Sequence, residues 1–175
     1  SNSIAGPLPT VTTEELAKEI QLVLPVENPY EYHTRLSNEP VHISRRNSEA
    51  NPLENEFAIP EKGWKLVWNA SASVILQTAI YDFQDYLNTS MGIQVDLLRL
   101  ESFKDLHDLD SSIIIGTKDQ LPGIGATLNG PKDYEINVAP ERIVVRGFDE
   151  RGAMYGLYNL EARMNLREAP FLPND

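Results

Sequence analysis

The sequence predicts an α+β fold: a small, mostly antiparallel sheet with two long helices on one face, preceded by an irregular N-terminal segment. Two observations carry this. Apolar residues recur at helical spacing in two long stretches, and between and before them short alternating runs give the order β–β–α–β–β–β–β–α. The 175 residues suit one domain, 41% of them apolar, enough for a sizeable core.

Residues 1–55 are the irregular part. Thr12-Thr13-Glu14-Glu15 offers a capping box, and Leu16, Ile20 and Val23 follow at helical spacing until Pro25, so a short amphipathic helix is expected there. The next stretch is polar and carries Pro29, Pro40 and Pro52. Within it Glu39-Pro40-Val41-His42-Ile43 reads as a short strand and the rest as loop.

Regular structure is expected from residue 56 to the end. Phe57-Ala58-Ile59 and Trp64-Lys65-Leu66-Val67-Trp68 read as strands around a Pro60-Glu61-Lys62-Gly63 turn, with Trp64, Leu66 and Trp68 on one face. A helix over 72–88 buries Leu76, Ala79, Ile80, Phe83 and Leu87, and Gly92 stands where a glycine ends such a helix. Ile93-Gln94-Val95-Asp96-Leu97 alternates as a strand. Ser112-Ile113-Ile114-Ile115-Gly116 is apolar enough to lie centrally. Tyr134, Ile136 and Val138, a Pro140-Glu141 turn, then Ile143 and Val145 give two further strands. Asp149 caps a last helix whose apolar stripe is Ala153, Leu157, Leu160 and Met164. Gly152 and Gly156 lie one turn apart on it and leave a bare patch for close helix–sheet packing.

Composition excludes several function classes. A net charge of −11 opposes nucleic-acid binding and adsorption to anionic membranes. No cysteine is present, so disulfides, thiolate nucleophiles and cysteine-ligated metals are excluded. No apolar run approaches the roughly 18 residues of a membrane span. The start at Ser-Asn-Ser, without Met, fits a removed leader or a tag scar.

Chemical motifs are weak throughout. His33, His42 and His107 are scattered, and Asp105, Asp108 and Asp110 lack the glycine and closing Glu of a calcium loop, so no metal site is expected. Ser111-Ser112 has no nucleophile motif around it. Gly123-Ile124-Gly125 precedes no helix. Arg151-Gly152-Ala153-Met154-Tyr155-Gly156 opens one, but Asp149 and Glu150 at its mouth would repel a phosphate. No catalytic residue and no cofactor are expected. Trp64 and Trp68 are candidates for stacking on sugar rings, against the plainer reading that alternating tryptophans on a strand are core. At 175 residues the chain is also too short for a glycosidase barrel, which takes about 250.

From residue 56 to 173 the sequence resembles the small α+β domain that precedes the catalytic barrel in several glycoside hydrolases, among them family 20 β-N-acetylhexosaminidases and α-glucuronidases. The resemblance runs through the helix over 74–87 with Gly92-Ile93, the strand Ile113-Ile114-Ile115-Gly116-Thr117, and Tyr134-Glu135-Ile136 through Ile143-Val144-Val145. It closes on Arg151-Gly152-Ala153-Met154-Tyr155-Gly156-Leu157-Tyr158-Asn159-Leu160. It implies a zincin-like accessory fold of about four strands, without zinc because His-Glu-x-x-His is absent. It also implies a non-catalytic role, a barrel in the same polypeptide as partner, a glycan met only indirectly, and export from a bacterium. Pro170-Phe171-Leu172-Pro173 stands where the family's chain would pass on to the barrel, and Arg151, Arg163 and Arg167 are the expected interdomain contacts. A stand-alone carbohydrate-binding or protein-interaction module is the alternative.

Overall fold

The computed structural model describes residues 42–104, 106–122 and 128–174. The expected helix after Thr13, His33, the start of the strand expected over 39–43, Asp105 and Gly123-Ile124-Gly125 lie outside the described residues, as does the side chain of His107. Of that expected strand, His42 and Ile43 are described, and they are irregular.

The elements are β1 (Glu56–Ala58), β2 (Trp64–Asn69), α1 (Val74–Met91), β3 (Val95–Leu100), β4 (Ser112–Thr117), β5 (Tyr134–Val138), β6 (Arg142–Gly147), α2 (Glu150–Arg167) and β7 (Phe171–Pro173). A single turn of 3₁₀ helix, Leu106–Asp108, interrupts the connection from β3 to β4. The α+β class and the order of elements match the expectation. The sheet does not: it has five strands in the order β3-β2-β4-β6-β5, and it is mostly parallel.

The parallel pairs are β2 with β3, β2 with β4 and β4 with β6, and only the β5–β6 hairpin is antiparallel. Connection length explains the correction. A parallel partner needs a crossover of a dozen residues or so, and α1 and the two long connections on either side of β4 supply that room. The short β1 pairs with β7 as a separate two-stranded sheet, so the expected chain exit at Phe171 is itself a strand.

Strand alternation sends residues to two different faces. On one face Trp64, Leu66, Trp68, Ile113, Ile115, Ile143 and Val145 meet the buried stripes of both helices, including Leu76, Ile80, Phe83, Leu87, Leu157, Leu160 and Met164. On the other, Val67 and Ile114 are covered by Phe103, Leu106, Leu109 and Leu121 from the long connections. The second face changes character towards β5. There Arg146, only 6% exposed, pairs with Glu135 and donates from Nη1 to the Leu121 carbonyl at 2.9 Å. Beside them Phe103, Ile114, Leu121, Asn137, Arg142 and Val144 help to line an open depression of about 370 Å³. Arg142 is engaged as well, with Asp110 at 3.2 Å and the Leu106 carbonyl at 3.2 Å.

Both helices are capped as their sequences require. Ser73 accepts from the Leu76 N–H, and Gly92 closes α1 at φ 68°, in the left-handed region glycine tolerates. At α2, Asp149 accepts from the Gly152 N–H at 2.8 Å, while Glu150 reaches the Ser73 N–H at 3.0 Å and so joins the two helix starts. An anion arriving at α2 would find its first turn already answered by these carboxylates.

Helix α2 lies unusually close to the strands that precede it. A Cβ on Gly152 would collide with the backbone carbonyl of Asp133, and one on Gly156 would stand 2.5 Å from Cγ1 of Val145. Gly147, at the end of β6, is as tightly placed against the backbone of Gly152 and Ala153. We therefore expect Gly152→Ala to cost about 1–3 kcal/mol through forced backbone movement. Gly156→Ala should cost less, because a side chain can yield and alanine regains about 1 kcal/mol of helix propensity. Chemical denaturation of the two variants measures the difference.

The far end of α2 is tied by Arg167. Its Nε and Nη2 donate to both oxygens of Glu56 at 2.7 and 2.8 Å, and Nη2 also reaches the Asn51 carbonyl at 3.1 Å. The pairing holds the Glu56 carboxyl below its ordinary range. Its contribution is thus complete above that range and fades as pH falls through the lowered value. Arg167→Ala should lower the melting temperature at neutral pH, and by less in acid, which thermal melts across pH will show.

Candidate functional site

Among the described residues, a group of ionisable side chains lies between the helices. Asp82 and Tyr86 are one turn apart on α1, and Glu161 and Asn165 are one turn apart on α2, so each pair presents side by side along its helix. The Tyr86 hydroxyl donates to Asn165 Oδ1 at 2.6 Å and stands 3.1 Å from the Glu161 backbone carbonyl. Tyr86 is fully buried and its ring stacks near Phe83, so it fixes the spacing of the two helices at this level.

A third segment completes the group. The irregular chain before β1 crosses the helix ends: the Arg45 N–H donates to the Ser90 carbonyl at 3.0 Å, Arg46 Nη1 to the Met91 carbonyl at 2.9 Å, and the Asn47 N–H to the Glu168 carbonyl at 2.7 Å. Those bonds satisfy carbonyls that helix ends otherwise leave open. They also deliver His42, whose Nε2 meets Asp82 Oδ1 at 3.0 Å and whose ring sits edge-on to Tyr86 at 5.3 Å. One ligand atom each from His42, Asp82 and Glu161 lies within 4.8 Å of the other two.

The electrostatics of this group are one-sided. Burial, with the neighbouring Asp82 charge added, pushes the Glu161 carboxyl up to about 8, against the weaker pull of His42. Burial alone would lower His42, but the hydrogen bond and charge of Asp82, with Glu161 and Asp85 behind it, raise it. Tyr86 is raised by burial and then by Glu161, opposed by Arg45. In chemical terms the group is a histidine and two carboxylates on rigid supports, able to hold a proton or a cation.

The residues singled out from sequence fall elsewhere. Trp64 and Trp68 are each 3% exposed and pack on Phe57 and Tyr81, with ring centroids 5.3 and 6.0 Å away. Neither offers an open face to a sugar, because both point towards the helices. Arg167 is engaged with Glu56 inside the domain, with its side chain 33% exposed. Arg151 and Arg163 are half-buried at opposite ends of α2. Ser112 Oγ donates to the Asp110 carbonyl, and Asp110 pairs with Arg142. No spacing along the chain announces the interhelical group. His42 is 40 residues from Asp82, and Glu161 lies a further 79 along the chain, so only the packing of α1 on α2 brings them together.

No family model and no curated protein matches the sequence. Solved structures of glycoside hydrolases do resemble it. One is a family GH115 4-O-methyl-α-glucuronidase with specificity for decorated arabinogalactans, at 18% identity and a TM-score of 0.45 over 61% of this chain and 14% of that one. A β-N-acetylhexosaminidase from Bacteroides fragilis gives 15% identity and 0.44 over 77% and 23%. A GH138 enzyme targeting pectin rhamnogalacturonan II gives 13% and 0.32 over 61% and 15%. The chain spans less than a quarter of each enzyme. Among the described residues no helix is long and apolar enough to cross a membrane.

The interhelical group makes folding depend on pH in a definite direction. A carboxyl whose folded pKa is raised binds its proton more tightly in the folded state, and its contribution is lost as pH rises from the ordinary carboxylate range through about 8. The raised His42 acts in the same sense, its share being complete below its ordinary value and lost above the folded one. With metals chelated, the melting temperature should therefore fall between about pH 5 and 9, and Glu161→Gln should remove most of the fall.

Proposed function

We propose that this chain is a non-catalytic accessory domain of a carbohydrate-degrading glycoside hydrolase, hexosaminidase-like or glucuronidase-like, that packs against a catalytic barrel in the same polypeptide. The observation carrying the reading is the use made of the segment through which the sequence resembles such domains. Five of its residues serve the domain's own architecture: Asp149 caps, Gly152 and Gly156 admit the strands, and Leu157 and Leu160 fill the core. A segment built this way supports a neighbour and leaves chemistry to it.

Helix α2 and the chain crossing its end are the surface we assign to that neighbour. Leu166 is 86% exposed in the last turn of α2 and Ile43 is 59% exposed in the crossing segment, so both are available to an apolar partner. Arg151 and Arg163 join them as contacts on the same helix. Export from a bacterial cell belongs to the same reading.

The test is to read the natural frame past Asp175 and to express both forms. The longer polypeptide should turn over aryl glycosides of the hexosaminide or glucuronide type, and the present chain should not. Leu166→Asp with Arg163→Glu should lower the melting temperature of the longer form by several degrees and leave the present chain within about 0.5 kcal/mol of its parent, as surface changes do. Turnover by the present chain, or a frame that stops near Asp175, sinks the proposal.

A further inference from the structure

The geometry points to a divalent-cation site made by His42 Nε2 and the carboxylates of Asp82 and Glu161, taking a borderline transition ion of the Zn²⁺ class and pinning the segment before β1 to both helices. This does not depend on the accessory-domain reading, since all three ligands belong to this chain.

Three observations support it. The first is the donor set. One imidazole with two carboxylates is a three-ligand set of the kind that zinc accepts, with water in the fourth position. In a tetrahedral site with bonds of about 2.0–2.2 Å, ligand atoms stand about 3.3–3.6 Å apart. The three atoms here already lie within 4.8 Å of one another, so side-chain adjustment alone brings them to that spacing.

The second observation is the support behind each ligand. Asp82 and Glu161 stand on long helices locked together by Tyr86 and Asn165, and the His42 ring is held against Tyr86 while its chain is bonded to three helix-end carbonyls. Ligands fixed by such outer contacts lose little freedom on binding.

The third is the imbalance of partners. His42 takes Asp82, whereas among the described residues no hydrogen bond reaches the Glu161 carboxylate, which is half-buried beside Asp82. Among the described residues, the groups facing the centre are Asp82, Asp85 and Tyr86 from α1, Glu161 and Asn165 from α2, and His42 with Arg45 from the crossing segment. Two carboxylates and a neutral imidazole carry two negative charges, which one divalent ion balances. Two carboxylates held this close repel one another, and a shared cation offsets that repulsion for both.

The experiment uses the full 175-residue chain, free of any histidine tag and stripped with a chelator. Zn²⁺ titrated calorimetrically should bind saturably at one ion per chain and raise the melting temperature, and Mg²⁺ should do neither at equal concentration. Co²⁺ in place of Zn²⁺ should give visible absorption bands that His42→Ala abolishes. Glu161→Gln and His42→Ala should each weaken Zn²⁺ at least about tenfold, the lower bound seen even for outer-shell losses, with unchanged circular dichroism. Asp82→Asn, a near-isosteric change, provides a third variant should either of the others unfold. Zn²⁺ binding that survives all folded variants undiminished, or no saturable binding to the parent chain, overturns the inference.

Discussion

The close approach of α2 to the strands beneath it sets the geometry of everything on the helix side of this domain. Gly152 and Gly156 let the first turns of α2 descend until backbone meets backbone at Asp133 and side chain meets backbone at Val145. Arg167 then anchors the last turn to Glu56, so the helix is fixed at both ends. Glu161 lies between those anchors. Its position opposite Asp82 is set on a helix held at both ends. Local packing at one end of the helix and chemistry at the other are thereby coupled.

What was legible in the sequence was whatever depends on neighbours along the chain. The stripes Leu76 to Leu87 and Ala153 to Met164, the cap at Asp149 and the glycine ending at Gly92 are local patterns, and each appears where the pattern places it. Strand pairing is not local. Alternation in Tyr134, Ile136 and Val138 says which residues face the core but nothing of which strand lies alongside. The run Ile113-Ile114-Ile115 held a clue to the parallel arrangement, being buried on both faces as parallel strands are, and the connections around it are long enough for crossovers. The interhelical group left no trace, because three residues from three segments share no spacing.

The two faces of the sheet solve their burial problems differently. The helix face of the sheet packs against one large apolar cluster, and even the two tryptophans serve there as filling. The opposite face is covered by loops, and a loop brings backbone carbonyls with it. Arg146 answers one of these, at Leu121, while Glu135 answers the charge of Arg146. A buried arginine is costly unless its donors are met, so the pair reads as the consequence of covering a sheet with irregular chain. Its charges are spent within the fold, and the depression beside it inherits two arginines already occupied by Glu135, Asp110 and carbonyl groups.

The interhelical group differs in bringing two carboxylates and a histidine within 4.8 Å of one another. Asp82 has His42, the Tyr86 hydroxyl has Asn165, and the crossing segment satisfies the helix-end carbonyls, yet the Glu161 carboxylate faces its neighbour's charge with no hydrogen bond among the described residues. Two carboxylates side by side repel unless a proton or a cation comes between them. A proton on Glu161 is the least that would serve, and it would leave His42 and Asp82 as an isolated pair. A divalent ion would serve all three residues at once and would turn the irregular chain before β1 into a fixed part of the helix surface. That surface is also where Ile43 and Leu166 leave apolar area uncovered. Whatever orders the crossing segment therefore also shapes the face that the domain offers to a neighbour.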